Sequence, residues 1–153
     1  MPVTTRWTRF MNQDAVFPSA GLNLAARLYR PKTPNGRTLV IGHPGSSVKE
    51  QSPALYADKL CRRGFHVLTF DAANQGASEG MPRGLENPPQ RVEDFKAAVS
   101  WLRTRSEVDP AAIGVVGICA SGGYVIQAAA GDRRIGAVAT VVAVDVGRQL
   151  RVG

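Results

Sequence analysis

The chain has 153 residues, of which 44% are hydrophobic and 20% charged, a composition typical of a folded globular protein and not of a disordered one. The net charge is +7, but the basic residues are scattered and no aromatic side chains are interleaved with them, which argues against a nucleic-acid partner. The N-terminal residues lack the apolar core of a signal peptide, and the longest apolar run, 135–144, is much shorter than the roughly 20 residues of a membrane span. We therefore expect a cytoplasmic protein with neither a membrane nor a nucleic acid as its partner.

Short apolar segments alternate with amphipathic ones along the chain. Six segments predict strands: RWTRFMNQDAVF and LNLAARLYRP as an antiparallel pair, then RTLVIGH, FHVLTFDA, AIGVVGI and IGAVATVVAVD. Three segments predict helices between the later strands: SPALYADKLCRRG, with Ser52 as its cap, PQRVEDFKAAVSWLRTRS and GGYVIQAAAGD. This order is typical of a single α/β domain, here residues 1–153, with a mostly parallel sheet and helices on both of its faces.

The two cysteines, Cys61 and Cys119, need separate explanations. They form no C-x-x-C pair, so no metal site is expected, and a disulfide is not expected in a cytoplasmic protein. The glycine pattern G-x-G-x-x-G of dinucleotide-binding folds is absent, and we expect no cofactor. Cys61 falls in a predicted helix, where a small buried side chain is the ordinary explanation.

Cys119 lies in the segment VVGICASGGY, at the turn between a predicted strand and a predicted helix. In a parallel α/β sheet the reactive groups belong at the carboxyl ends of the strands. Residues 117–121 have the form small-x-nucleophile-x-small of a strained strand-to-helix turn, with Cys119 as the nucleophile. The start of the helix favours a negatively charged thiolate, and the Ala120 N–H would point at a developing oxyanion.

Two other interpretations of this turn remain open. Read two residues later, the segment CASGG has the same form and makes Ser121 the nucleophile, although the turn then begins beyond the end of the apolar strand. Alternatively, neither side chain reacts, and both residues are small only because the strand and the helix pack closely together.

Three segments of the sequence together resemble the α/β-hydrolase superfamily. IGVVGICASGG resembles its strand, nucleophile elbow and helix, LVIGHPGSS its strand and oxyanion loop, and FDAANQGASEG its Asp-x-x-x-x-Gly-x-Ser-x-Gly loop. The run PRGLENPPQRVEDFKAAVSWL further resembles dienelactone-hydrolase-like and peptidase-like bacterial members, and the former also carry cysteine at the nucleophile position. The resemblance implies a hydrolase that cleaves ester, thioester, lactone or amide bonds of a small-molecule substrate.

The resemblance also implies roles for residues that precede the turn. In the family the oxyanion loop lends a backbone N–H to the tetrahedral intermediate, and because Pro44 has no N–H, Gly45 or Ser46 is the expected donor. Three polar side chains are expected to border the pocket, the first mainly positioning the loop and the other two with ordinary loop polarity as an equal alternative: His43, Asn74 and Gln75.

One part of a hydrolase site is missing from the sequence. The family supplies an acid and then a histidine base after the nucleophile, yet both histidines, His43 and His66, precede Cys119. Asp145, at the end of the last predicted strand, is a candidate for the acid. The family sheet has eight strands and six are predicted here, so the resemblance implies an incomplete, C-terminally truncated domain that ends after the sixth strand.

Two functions therefore remain open. The first is a hydrolase with a cysteine nucleophile, impaired because no histidine follows it. The second is a non-catalytic, truncated hydrolase homologue that self-associates through its last strand, which would be an uncharged, Val-rich and unprotected edge.

Overall fold

The structure is a computed structural model that describes residues 11–152. Within this range the strands and helices are β1 Met11–Ser19, β2 Leu22–Arg30, β3 Thr38–Gly42, α1 Ser52–Cys61, β4 His66–Phe70, α2 Pro88–Leu102, β5 Ile113–Ile118, α3 Ser121–Gly131, β6 Ala137–Val141 and α4 Val146–Val152. The predicted alternation of strands and helices is confirmed. Residues 6–10 of the first predicted strand lie outside the described residues.

All six strands form one sheet in the order β1-β2-β4-β3-β5-β6. β1 and β2 form an antiparallel hairpin, β2 runs antiparallel to β4, and the remaining neighbours are parallel. The pairing of β3 with β5 places Gly42 beside Gly117, so that both strands end at the same edge of the sheet. The loop after β3 and the turn after β5 are therefore neighbours in space.

Helices cover both faces of the sheet, as predicted. α2 and α3 pack on one face, where Phe95 and Val125 are fully buried in the larger apolar cluster. α1 packs on the opposite face and buries Ala57 and Cys61. Each large apolar side chain removed from water in this way stabilises the fold by roughly 1.5–3 kcal/mol. Burial also raises the pKa of the Cys61 thiol to about 11, which leaves it unreactive at neutral pH.

The last strand is shorter than predicted. The sequence predicts a strand that reaches Asp145, but β6 ends at Val141, and Val142 adopts a left-handed backbone with φ = +46°. A β-branched residue rarely adopts this conformation, so no local signal marks the turn. The residues beyond it form α4, a helix that the sequence did not predict. Asp145 therefore precedes a helix and does not end a strand.

The first helix begins earlier than predicted. The carbonyl group of Gln51 accepts the N–H groups of Ala54 and Leu55, at 3.1 and 3.4 Å, so Ser52 is already a helical residue. The predicted capping role of Ser52 is therefore wrong. Pro53 occupies the first turn, where its missing N–H costs no helical hydrogen bond.

β6 is the edge strand next to β5 in the sheet that residues 11–152 form. Its residues from Ala137 to Thr140 are exposed, and none of them is charged. In the same range of the chain, no helix combines the length and the apolar character that crossing a bilayer requires.

Candidate active site

The turn between β5 and α3 holds Cys119 in a strained backbone conformation. Its φ is +56°, in the left-handed region that residues other than glycine, asparagine and aspartate seldom occupy. Hydrogen bonds hold it there: its N–H donates to Val141 at 2.9 Å, and its carbonyl accepts from Gly122 at 2.9 Å and from Val144 at 3.0 Å. Such a conformation costs roughly 1–3 kcal/mol and persists only where the surroundings enforce it. The side chain of Cys119 is half-buried at the carboxyl end of β5.

Close packing explains the glycines of this turn. A Cβ atom on Gly117 would collide with the backbone of Ser121 and Gly122. A Cβ atom on Gly122 would lie 2.6 Å from the Cβ of Ala143, because the segment after β6 lies directly against the start of α3. Packing therefore accounts for the small residues around Cys119. It does not account for a cysteine at a left-handed position, where glycine would be less strained.

Three backbone N–H groups lie unbonded near the turn. Among the residues that the structure describes, none accepts a hydrogen bond from the N–H of Ala120, Gly45 or Ser46. The loop after β3 abuts the turn, since a Cβ atom on Gly45 would lie 3.9 Å from that of Ala120. Gly45 and Ser46 are exposed, and Ser46 has a φ of +55°. The site thus brings the predicted oxyanion donors together beside Cys119.

Ser121 is fully buried and points away from solvent. Its hydroxyl donates to the carbonyl oxygen of His43 at 2.6 Å and accepts from Nη2 of Arg91 at 2.8 Å. The hydroxyl bridges two parts of the fold, and the described chain offers it no open path to a substrate.

Both ring nitrogens of His43 are occupied by backbone partners. Nδ1 donates to the carbonyl of Pro44 at 2.6 Å, and Nε2 accepts from the N–H of Ala72 at 3.1 Å. Burial, with a further contribution from the positive charge of Arg91, lowers the pKa of His43 to about 4. His43 is therefore a neutral side chain that ties the loop after β3 to the loop after β4.

We expect this buried histidine to make the fold sensitive to acid. His43 stays neutral in the folded chain down to about pH 4, whereas the unfolded chain takes up the proton near the ordinary pKa of 6.5. Acidification from pH 7 to pH 5 therefore favours the unfolded state and lowers the free energy of unfolding by about 2 kcal/mol through this residue. Urea denaturation at both pH values measures the fall in the free energy of unfolding. In His43→Gln this fall should be smaller by about 2 kcal/mol. His66, whose pKa burial also lowers, contributes equally to both proteins, so an identical pH dependence in the variant would contradict the assignment.

Asn74 and Gln75 are used within their own loop. Asn74 has a φ of +69°, and its Nδ2 donates to the carbonyl of Pro82 at 3.1 Å. Nε2 of Gln75 donates to the carbonyl of Leu85 at 3.0 Å. Both side chains are buried, so their polar groups brace the loop between β4 and α2.

The Asp-x-x-x-x-Gly-x-Ser-x-Gly motif is a scaffold for the same loop. The carboxylate of Asp71 accepts from Nζ of Lys49 at 2.9 Å and from the N–H of Ala77 at 2.9 Å. Gly76, at φ = +49°, lies against this carboxylate where a Cβ atom would collide with it. Ser78 donates to the carbonyl of Asp71 at 2.6 Å and thereby closes the loop.

Asp145 is exposed, and its carboxylate is already engaged. Oδ1 accepts the N–H of Arg148 at 2.9 Å, which makes Asp145 a capping residue at the start of α4. A cleft of about 540 Å³ lies between α3 and this C-terminal segment. Its lining does not include Cys119 or any of the three side chains predicted to border the pocket.

Sequence reasoning missed two buried charged residues on α2, Arg91 and Asp94. Arg91 contacts the loop after β3 and the start of α3, and burial lowers its pKa. Asp94 accepts from Ser19 at 2.7 Å and from the N–H of Ala73 at 2.9 Å, and burial raises its pKa. The spacing along α2 could have indicated that Arg91 is buried, because Arg91 lies one helical turn before the buried Phe95 and so shares its face of the helix. Within residues 11–152, no three histidine, cysteine or acidic side chains are grouped so that they could hold a metal ion.

The fold of the chain is shared with proteins of known structure. The crystal structure of the hypothetical protein PA2218 from Pseudomonas aeruginosa superposes with a TM-score of 0.88 and 38% identity over 97% of this chain and 50% of that one. The α/β hydrolase GrgF from Penicillium sp. sh18 superposes with a TM-score of 0.83 and 27% identity over 87% of this chain and 46% of that one. The chain therefore has the α/β-hydrolase fold, as the sequence predicted.

Sequence comparison gives the family. Residues 20–150 match the family model of the X-Pro dipeptidyl-peptidase (S15) family, and the chain belongs to that family. The thiohydrolase aneE of Aspergillus aculeatus is 40% identical over 79% of this chain and 38% of its own length. The chain spans half or less of the length of each of these three proteins.

Proposed function

We propose that Cys119 is the nucleophile of a hydrolase-type site and accepts an acyl group from an ester or thioester. One observation carries the proposal: a cysteine occupies a strained, left-handed position at the carboxyl end of a central strand. Strain of this kind is concentrated at functional sites, and packing alone would favour glycine there. The relative named as a thiohydrolase supports a thioester as one substrate class.

The neighbouring amides supply the stabilisation that acyl transfer requires. Attack on a carbonyl carbon places negative charge on its oxygen, and oriented N–H groups stabilise that charge. In this proposal Ala120 provides one donor and the loop at Gly45 and Ser46 provides the other, since these N–H groups have no acceptor among the described residues. Ser121 is not the nucleophile in this proposal, because its hydroxyl is buried and bonded to His43.

The chemical step conserves atoms and charge in a simple way. The thiol proton passes to solvent, the sulfur attacks the carbonyl carbon, and a C–S bond forms as the bond to the leaving group breaks. The alkoxide or thiolate that leaves takes up a proton from solvent. Neither histidine can serve as the base within this chain, because His43 is bonded at both nitrogens and His66 is buried in β4. Asp145 caps α4, and the proposal gives it no acid role. Deacylation should therefore be slow.

The experiment that tests the proposal is the reaction of the chain with p-nitrophenyl acetate. We expect a burst that approaches one p-nitrophenolate per chain, followed by little turnover, and peptide mass mapping should find the acetyl group on Cys119. An acetyl group found elsewhere, or no burst with the folded protein, would overturn the proposal.

A second candidate function rests on the edge of the sheet. The outer side of β6 pairs with no strand in residues 11–152, and its exposed residues carry no charge that would repel another strand. In this alternative the chain is a non-catalytic module in which β6 pairs antiparallel with β6 of a second copy.

Self-association through β6 has a direct test. Val138 is 42% exposed on this strand, and we expect Val138→Lys to shift the equilibrium toward the monomer, because a charge on an edge strand opposes pairing. Sedimentation equilibrium over a range of concentrations measures the shift. Leu55→Lys, at a residue 57% exposed on α1, is the matched control and should leave association unchanged. Association that persists in Val138→Lys would exclude β6 as the interface.

A further inference from the structure

Arg91 forms one corner of a triangle of three hydrogen bonds next to the candidate site. Its Nη2 donates to the carbonyl oxygen of His43 at 2.7 Å and to Oγ of Ser121 at 2.8 Å. The Ser121 hydroxyl in turn donates to the same His43 carbonyl at 2.6 Å. This triangle joins α2, the loop after β3 and the first turn of α3.

Burying the charged guanidinium of Arg91 costs free energy, because the group loses its contacts with water. Arg91 is 3% exposed, and its acidic neighbour Glu86 is 3.7 Å from Nε, longer than a hydrogen bond. The ring of Tyr124, 5.2 Å from the guanidinium carbon, adds a cation–π contact. Replacing buried charged side chains by apolar ones of similar volume often leaves the free energy of unfolding unchanged or increases it. Stability alone therefore does not explain an arginine at this position.

The triangle determines how one oxyanion donor is oriented. The His43 carbonyl fixes the plane of the peptide that links His43 to Pro44, and the proline ring fixes the next φ. The Pro44 carbonyl is then held by Nδ1 of His43 at 2.6 Å. That carbonyl shares a planar trans peptide with the N–H of Gly45, so the N–H must point in the opposite direction. The contacts of His43 thus aim the Gly45 N–H.

We propose that Arg91 is a positioning residue that holds the Gly45 N–H and the Ala120 N–H in register as the two donors of the oxyanion hole. The inference rests on the proposed function of Cys119. Arg91 touches no reacting atom in this arrangement. It acts through the His43 carbonyl on the loop and through the Ser121 hydroxyl on the turn.

Two reactions of the same thiol separate this role from a general effect on the turn. Acylation by p-nitrophenyl acetate builds charge on a carbonyl oxygen and needs the oxyanion donors. Alkylation by iodoacetamide displaces iodide at a saturated carbon and does not. We expect Arg91→Met to lower the acylation rate constant of Cys119 at least about tenfold while alkylation changes less than about twofold. Arg91→Lys, which keeps one donor near the His43 carbonyl, should recover part of the loss.

Controls keep the outcomes distinct. Lys96→Met removes a charge from the same helix away from the site and should alter neither rate. If Arg91→Met does not fold, Ser121→Ala, which removes only the hydroxyl brace, should still lower acylation relative to alkylation. If the ratio of the acylation rate to the alkylation rate is unchanged in the folded variants, the proposed role of Arg91 is overturned. The proposed function of Cys119 is not affected by that result. A wild-type chain that is alkylated but not acylated would overturn the proposed function, and the role of Arg91 with it.

Discussion

Replacing Cys119 by alanine is expected to abolish the acyl-protein that forms with p-nitrophenyl acetate. The proposed site has one nucleophile, and the other thiol cannot replace it, because Cys61 is 1% exposed and burial raises its pKa to about 11. Intact-mass spectrometry of the quenched reaction measures the loss directly. We expect no acetylated species in Cys119→Ala after a time at which the wild-type chain is fully modified.

Two matched variants accompany this experiment. Cys61→Ala keeps the candidate site intact and should retain the full burst. Cys119→Ser keeps the shape of the turn but offers a hydroxyl without a base, and it should lose acylation almost as completely as alanine. Acylation that survives in Cys119→Ala at the wild-type rate would show that the reactive group lies elsewhere in the chain.

Replacing Gly117 by alanine is expected to destabilise the fold by about 3 kcal/mol, the upper end of the usual range for an overpacked interior. An added Cβ atom would meet the carbonyl group of Ser121 and the Cα atom of Gly122, and all of these are backbone atoms that no change of rotamer can move. β5 would have to separate from α3 to make room. Urea denaturation measures the change in the free energy of unfolding.

The control for this prediction is another glycine of the same region. Gly131, at the end of α3, has only the flexible end of Lys96 near the position of a Cβ atom, at 3.6 Å. Gly131→Ala should therefore be neutral or stabilise the chain by up to about 1 kcal/mol, as alanine does in helices. If Gly117→Ala lost no more stability than Gly131→Ala, the close approach of β5 and α3 in this turn would be wrong.

The fold was predictable because its signals are local. Apolar runs such as those of β3 and β5 predict buried strands from their own residues, and the glycine-rich segment around Cys119 predicts a tight turn. The prediction failed at Val142, where a β-branched residue takes a left-handed conformation. That backbone is held by contacts between the segment after β6 and α3, and a short stretch of sequence contains no sign of them.

The supporting contacts of the candidate site depend on distant residues. The segment GICASGG by itself leaves both Cys119 and Ser121 open as the nucleophile, because residues 117–121 and residues 119–123 satisfy the same pattern of small residues. In the structure the Ser121 hydroxyl is buried and donates to the carbonyl oxygen of His43, 78 residues earlier in the chain, and this contact supports the proposal of Cys119 as the nucleophile. The contacts of Arg91 could not be predicted for the same reason, since its partners His43 and Ser121 lie 48 and 30 residues away along the chain.

By itself, the sequence determined the α/β architecture, the order of the strands and helices, and the position of Cys119 at a turn between them. These features follow from the periodicity of side chains and from the steric needs of glycine-rich turns, which act over a few residues. Only the tertiary structure decided which polar groups are consumed in bracing the loops and which N–H groups stay free beside the thiol. The reason is physical: a buried polar group must find a partner, and the folded chain supplies that partner from a remote part of the sequence.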